Sequence, residues 1–144
     1  MEANFGKYRL DRKLATGGMA EVFLAWQLGP GGFERKVALK RLLPNYSEDP
    51  NAVSMFLDEA RIAAQLTHKN IVQIYDLGKI KDSYFIAMEY IPGRDMSAVI
   101  PKTKKTGIPF PVEYALKIAS NVCEALYYAH TKTDAFGITS LTYW

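Results

Sequence analysis

The first third of the chain has the apolar pattern of antiparallel strands. Residues 20–28 carry the β-branched and aromatic side chains typical of a strand, and the shorter segments 8–14 and 36–42 predict one strand on each side. A pair of glycines separates the first two strands, and a Gly-Pro-Gly-Gly turn at 29–32 separates the second from the third. These short connections predict an antiparallel meander.

After this meander the apolar residues recur at the longer spacing of a helix. The Ser-Glu-Asp-Pro segment at 47–50 combines the polar cap and the proline that begin helices. Apolar positions between 53 and 66 then recur at three- and four-residue steps, which predicts an amphipathic helix. Two further strands are predicted, one starting at 71–75 and one at 84–89, with a polar turn between them.

The last third of the chain is predicted to be helical. A short helix is expected over 95–100, followed by a solvated loop with three lysines at 102–107. Pro111 opens the longest helix, and the pattern fails after His130. The apolar stripe of that helix consists of Ala115, Ile118, Ala119, Val122, Leu126 and Ala129. Strands followed by helices are typical of the α+β class.

Composition excludes several classes of protein. The 144 residues are 49% hydrophobic, which allows a packed core and excludes a disordered or collagen-like chain. The net charge of +3 is too small to indicate a nucleic-acid partner. The single cysteine, Cys123, is expected to be a small buried side chain. The two histidines, His68 and His130, are far apart, so no metal site is predicted.

The sequence also bears on location. The first residues lack the basic and apolar regions of a signal peptide, and no apolar run reaches the ~20 residues that span a bilayer. We therefore expect a cytoplasmic protein without a membrane segment.

Four short segments carry candidate chemistry. In the hairpin at 14–22, small residues would let backbone amides approach phosphate oxygens. Lys40 shares a strand face with the small Ala38, and Glu59 follows 19 residues later on the predicted helix, where it could hold the lysine. At 88–93 the chain leaves the end of a strand, which exposes unpaired backbone amides and carbonyls that could bind the edge of a ligand. Each segment alone also has a structural explanation, as a turn, a solvated charge or a strand-to-helix link.

In this order and spacing, the four segments resemble the N-terminal lobe of a protein kinase over about residues 8–130. The run Thr-Gly-Gly-Met-Ala-Glu-Val-Phe-Leu-Ala is similar to bacterial serine/threonine kinases of the eukaryotic-like type. The resemblance implies an N-lobe at 8–91, with a five-stranded antiparallel sheet and one helix, αC. It implies the hinge and the first C-lobe helices, αD and αE, at 92–136. Residues 137–144 form an atypical tail.

The resemblance also implies an ATP site. Lys40, oriented by Glu59, would reach the α- and β-phosphates. Met88 would be the gatekeeper, and the backbone of Glu89 and Ile91 would bind adenine. The residues implied in nucleotide binding are Leu14, Ala15, Thr16, Gly17, Gly18, Met19, Ala20, Glu21, Val22, Ala38, Lys40, Met88, Glu89 and Ile91. Mg²⁺ accompanies ATP in the family.

The chain departs from the family pattern in two ways. Of the three glycines in the family's loop only Gly17 remains, with Ala15 and Ala20 at the outer positions, so looser phosphate binding is expected. The family's catalytic aspartate and its metal-binding asparagine and aspartate follow the long helix and do not occur here. The Arg-Asp pair at 94–95 and Asp-Ala-Phe-Gly at 134–137 look like parts of those motifs but stand in the wrong order.

We therefore expect no phosphoryl transfer by this chain alone. One alternative is a pseudokinase-like binding module that regulates a partner kinase through the apolar stripe of the long helix. A second alternative is an unrelated α+β fold with chance motifs.

Overall fold

The computed structural model describes residues 3–132. The chain divides into two compact units, one containing residues up to 67 together with 72–91, and the other containing 68–71 and the residues from 92 onward. Within the described part of the chain, no helix has both the length and the apolarity needed to cross a bilayer.

The first unit is built on one antiparallel sheet of six strands, in the order β1-β2-β3-β4-β6-β5. The strands are β1 (Ala3–Phe5), β2 (Tyr8–Thr16), β3 (Ala20–Leu28), β4 (Glu34–Leu42), β5 (Ile74–Ile80) and β6 (Ser83–Glu89). The meander and the later strand pair are confirmed. The sheet has one strand more than predicted, because the three residues of β1 are too few to show an alternating pattern. β5 also begins later than predicted, since the Ile71 N–H donates to the His68 carbonyl in a turn.

A single helix, α1 (Pro50–Ala64), packs on this sheet. The Asp49 side chain caps it by accepting from the Asn51 N–H at 2.9 Å, and Pro50 occupies the first turn, as the sequence predicts. Its buried positions, Ala52, Phe56 and Ala60, are spaced by four residues and therefore lie on one side of the helix.

The two faces of the sheet carry separate apolar clusters. The helix-side cluster comprises Ala20, Leu42, Phe56, Ala60 and Ile86. The outer cluster, on the opposite face, comprises Tyr8, Leu10, Ala25, Val37, Leu39, Phe85 and Ala87. Because side chains alternate along a strand, neighbouring residues of β3 and β4 serve different clusters.

The sheet curls until non-adjacent strands meet. Tyr8 on β2 donates a hydrogen bond from its hydroxyl to Asp76 on β5 at 2.7 Å, although three strands lie between them. Gly6, with φ of +58°, lies so close to Ile80 that a Cβ there would stand 2.7 Å from the Ile80 Cδ1. A side chain at position 6 would therefore displace the end of the Ile80 side chain, and it would be strained at this positive φ.

The second unit contains two helices, α2 (Met96–Thr106) and α3 (Val112–Thr131). The helix expected over 95–100 continues through the lysine segment that was predicted to be a loop. Lysine is a good helix former. Lys104 and Lys105 also lie in the last turn, where cations interact favourably with the helix dipole. Gly107, with φ of 68°, ends the helix in the left-handed conformation.

Helix α3 is held by the segment 68–71 within the same unit. The Asn70 side-chain amide donates to the Asn121 carbonyl at 3.1 Å, Lys69 pairs with Glu124 at 3.0 Å, and the His68 ring stacks on Tyr128.

The stripe of α3 is largely exposed. Ile118, Val122 and Leu126 are 39%, 51% and 50% exposed, and Ala129 is the only buried residue of the helix. Cys123 is exposed as well. The expectation that it is buried is therefore wrong, because its part of the helix has no covering layer within the described residues. The tail predicted at 137–144 lies outside those residues.

Candidate functional site

Lys40 and Glu59 form the centre of the candidate site. The Lys40 Nζ lies 2.7 Å and 2.8 Å from the two carboxylate oxygens of Glu59, joining β4 to α1. The ammonium group also lies 5.7 Å from the centre of the Phe56 ring. The lysine side chain is 22% exposed and the glutamate side chain 58% exposed. A partly screened pair of this kind contributes little to stability, but it fixes the direction of the lysine side chain.

The strand register brings further predicted residues to the same face of the sheet. Val22 lies opposite Lys40, and Ala15 lies opposite Val22. Ala38 lies opposite Met88, whose side chain packs against the helix-side cluster. Residues that face one another across an antiparallel pair share a face. Small or apolar side chains on β2, β3, β4 and β6 therefore lie on the same face of the sheet as the lysine.

The loop 17–19 joins β2 to β3 beside this face. Its two ends are drawn together by a 2.7 Å hydrogen bond from the Gly17 N–H to the Ala20 carbonyl. The Leu43 N–H donates to the Met19 carbonyl at 2.9 Å, which attaches the end of the loop to the segment after β4. Thr16, Gly17 and Gly18 are exposed. The backbone of the loop is thus accessible to a ligand.

The two alanines that replace family glycines occupy different surroundings. Ala20 is 5% exposed, and its methyl group is part of the helix-side cluster. Ala15 is exposed on the ligand face. The methyl group of Ala20 therefore contributes to packing, and only that of Ala15 borders the candidate site.

Three predicted residues remain: Glu89 at the end of β6, Ile91 two residues beyond it, and Leu14 on β2. The Glu89 N–H already donates to the Gln73 carbonyl at 2.9 Å and is therefore not available to a ligand. Ile91 is 57% exposed and Leu14 is 40% exposed, which leaves two apolar side chains in solvent near the ends of their strands.

Glu21, predicted as part of the loop segment, lies on the opposite face. Among the described residues it is the only charged residue that is buried. Its carboxylate accepts from Lys13 at 2.6 Å and from the Arg41 Nε at 3.1 Å. Burial would raise the pKa of this carboxyl, but the hydrogen bonds and charges of Lys13 and Arg41 outweigh burial and hold its pKa below the usual range. Sequence reasoning missed this triad, although an acidic residue inside an apolar strand is a signal for it.

The structure gives the first of the two acidic motifs, the Arg-Asp pair at 94–95, a structural role. Asp95 caps α2 by accepting from the Ala98 N–H at 2.9 Å. The motif at 134–137 lies outside the described residues. Within residues 3–132 no group of three or more histidine, cysteine or acidic side chains could hold a metal ion.

A small antiparallel sheet with one packed helix, joined by a lysine–glutamate pair beside a glycine-containing loop, defines the N-terminal lobe of a protein kinase. Residues 8–135 match the family model of the protein kinase domain. The chain belongs to the protein kinase family.

Two of the similar proteins are bacterial kinases. Tyrosine-protein kinase MasK of Myxococcus xanthus is 47% identical over 135 residues, which are 92% of this chain and 21% of MasK. Serine/threonine-protein kinase PrkC of Bacillus subtilis is 37% identical over 125 residues, which are 87% of this chain and 18% of PrkC. The chain thus spans about a fifth of the length of these relatives.

The fold is shared with solved kinase structures. The crystal structure of the Mycobacterium tuberculosis PknI kinase domain superimposes with a TM-score of 0.69 at 32% identity. The alignment covers 90% of this chain and 50% of that chain. The kinase fold expected from the sequence is confirmed.

Proposed function

We propose that this chain binds ATP on the helix-side face of its sheet. The observation that carries the proposal is the Lys40–Glu59 pair, whose ammonium lies within 2.8 Å of both carboxylate oxygens. Family membership and the small Ala38 beside the lysine support the same assignment. A lysine held in this way offers a fixed positive charge to the α- and β-phosphates.

The other residues of the site would then bind the rest of the nucleotide. Leu14, Val22, Ala38 and Met88 provide apolar surface for adenine, the Glu89 carbonyl and the Ile91 backbone provide its polar partners, and loop 17–19 provides amides near the phosphates. Mg²⁺ accompanies ATP in the family, but the described residues do not supply a ligand set for it.

We further propose that these 144 residues do not transfer phosphate by themselves. The chain holds neither the aspartate that positions the attacking hydroxyl nor the two metal-binding residues of the family. In this proposal residues 8–91 are the N-lobe and 92–136 begin the C-lobe. The relatives are named both tyrosine and serine/threonine kinases, so the proposed acceptor class for a complete domain is a protein hydroxyl group.

ATP binding is tested by calorimetric titration of the whole chain, with and without Mg²⁺. We expect saturable binding by the wild type and its loss in Lys40→Met, because the phosphates lose their cation. Lys79→Met is the matched control, since Lys79 is a half-exposed strand lysine whose nearest acidic partner, Asp82, is 3.9 Å away. A wild-type chain that does not bind ATP, or a Lys40→Met chain that binds it equally well, would refute the proposal.

A second candidate function is regulation of a partner kinase as a pseudokinase-like module. The exposed side chains of Ile118, Val122 and Leu126 favour it, because an uncovered apolar stripe is typical of an interaction surface. The test is a titration against a complete bacterial kinase domain. Saturable binding that Val122→Glu abolishes would support the module, and an absence of saturable binding would exclude it for that partner.

A further inference from the structure

A buried ion triad joins three strands at the base of the glycine loop. Glu21 on β3 contacts Lys13 on β2 and Arg41 on β4, at 2.6 Å for the lysine and 3.1 Å for the arginine Nε. The Glu21 side chain is 7% exposed, whereas the Arg41 and Lys13 side chains are 25% and 49% exposed. The carboxylate is therefore the buried centre of the triad, and the cations approach it from the two flanking strands.

The position of the triad relates it to the candidate site. Glu21 faces Thr16 across one ladder and Arg41 across the other, so it stands where loop 17–19 leaves the sheet. Its neighbour on β3, Val22, lies on the ligand face opposite Lys40, the residue before Arg41. Glu21 thus connects the loop-bearing hairpin to the strand that carries the lysine, from the face that no nucleotide would touch.

The charges show what the carboxylate does. The Lys13 and Arg41 cations both lie over the Phe23 ring, at 5.5 Å and 5.0 Å from its centre. Without Glu21 two like charges would share this small, partly desolvated region, and they would repel each other across β3. Because one cation is on β2 and the other on β4, that repulsion would act to separate the hairpin from β4.

We propose that Glu21 is a positioning residue, which holds the β2–β3 hairpin and its loop 17–19 at a fixed distance from the strand that carries Lys40. The proposal rests on the proposed nucleotide site for its consequence, since a displaced loop would offer its amides to phosphates less well. Its mechanical part, the placement of the loop, holds in the chain without nucleotide.

The first test measures the loop itself. Amide hydrogen exchange of Gly17, whose N–H donates to the Ala20 carbonyl at 2.7 Å, is compared between the wild type and Glu21→Gln in the absence of nucleotide. We expect exchange about tenfold faster in Glu21→Gln, because the local opening that breaks this hydrogen bond becomes easier. Glu34→Gln is the matched control. Glu34 pairs with Arg9 at 3.2 Å at the far end of the same sheet and is half exposed, so loop exchange should stay at the wild-type rate.

A rescue variant separates charge from packing. Adding Lys13→Gln to Glu21→Gln removes one of the two unbalanced cations, and loop exchange should return part of the way to the wild-type rate. Equal exchange in Glu21→Gln and wild type would overturn the proposal. If Glu21→Gln does not fold, Arg41→Gln decides the matter, because it removes the contact that reaches Glu21 from β4 and leaves Lys13 to balance the carboxylate. Its loop exchange must then rise, and an unchanged rate would overturn the proposal.

The second test measures nucleotide affinity at a temperature where each variant is folded. We expect the Kd for ATP to rise about tenfold in Glu21→Gln, a change equivalent to about 1.4 kcal/mol. A purely structural role would lower the Tm but leave the Kd and the loop exchange unchanged. If the wild type does not bind ATP, the proposed function fails, whereas the exchange experiment still decides the role of Glu21.

Discussion

Replacing Tyr8 by phenylalanine removes a single oxygen atom from the place where the sheet closes on itself. Tyr8 is fully buried, and its hydroxyl donates to Asp76 at 2.7 Å. Asp76 also accepts from Lys7 at 2.8 Å and from the Leu77 N–H at 3.0 Å. Burial raises the pKa of the Tyr8 hydroxyl well above its ordinary range, and the Asp76 hydrogen bond and charge raise it further.

The magnitude follows from the partners that remain. A hydrogen bond to a charged acceptor contributes about 1.5–3 kcal/mol. The Asp76 side chain is 31% exposed and keeps two other donors, so water can replace part of the hydrogen bond that the Tyr8 hydroxyl donated. We therefore expect the lower end of this range. Tyr8→Phe should lower the free energy of unfolding by about 1.5 kcal/mol, which is equivalent to roughly a tenfold larger unfolding constant and a Tm lower by about 4 °C.

The assay is urea denaturation followed by the fluorescence of Trp26, which lies in β3, with Trp144→Phe in every variant to remove the second tryptophan. Tyr84→Phe is the matched control, because the Tyr84 hydroxyl has no hydrogen-bond partner among the described residues. If Tyr8→Phe and Tyr84→Phe differ by less than about 0.5 kcal/mol in free energy of unfolding, the reasoning is refuted.

The pH dependence gives a second check on the same bond. Burial would raise the pKa of Asp76, but the hydrogen bonds from Lys7 and Tyr8 outweigh it, so the folded pKa lies below the usual value. The stabilisation from Asp76 is therefore present above its unfolded pKa of about 4 and is lost as the pH falls through the folded value. The difference between wild type and Tyr8→Phe should shrink over this acidic range. A difference that stays constant would contradict the charged acceptor.

Three further predictions concern other parts of the chain. Phe56→Ala should lower the free energy of unfolding by about 3–5 kcal/mol in the same urea assay, because Phe56 is 1% exposed and belongs to the helix-side cluster. A loss below about 1 kcal/mol would contradict its place in the core. Asn70→Ala should cost about 1 kcal/mol and speed amide exchange of residues 68–71, since the bond to the Asn121 carbonyl is lost, and unchanged exchange would show that this contact does not hold the segment. The folded pKa of Glu21 is lowered, so wild-type stability should fall as the pH drops below about 4, and Glu21→Gln should lose less over this range; equal losses would contradict the ion triad.

Local patterns predicted the regular elements well where the pattern was long. The β-branched and aromatic residues at 20–28 match β3, and the cap at Asp49 with the proline after it matches the start of α1. The errors came where local signals were short or ambiguous. β1 has three residues, and the lysines of 102–105 suit a helix as well as a solvated loop.

The residues of the candidate site also divide into those whose position the sequence predicted and those whose position it did not. Its central pair, Lys40 and Glu59, could be predicted from their order, their spacing and the family resemblance, because these residue types and intervals are characteristic of the family. Glu21 was predicted as part of a ligand-binding segment, and its placement on the outer face could not be known from that segment alone. The strand register decides which face a residue takes, and a shift of one residue reverses it.

The sequence by itself therefore determined the fold class, the order of the longer elements and the family, and it predicted the residues at the centre of the candidate site. Periodicity and short motifs express these properties over a few neighbouring residues. Only the tertiary structure decided that Tyr8 meets Asp76, 68 residues away, that Glu21 gathers Lys13 and Arg41, and that Cys123 is exposed. Those contacts depend on strand register, on the curl of the sheet and on which surfaces are covered, and no local pattern encodes them.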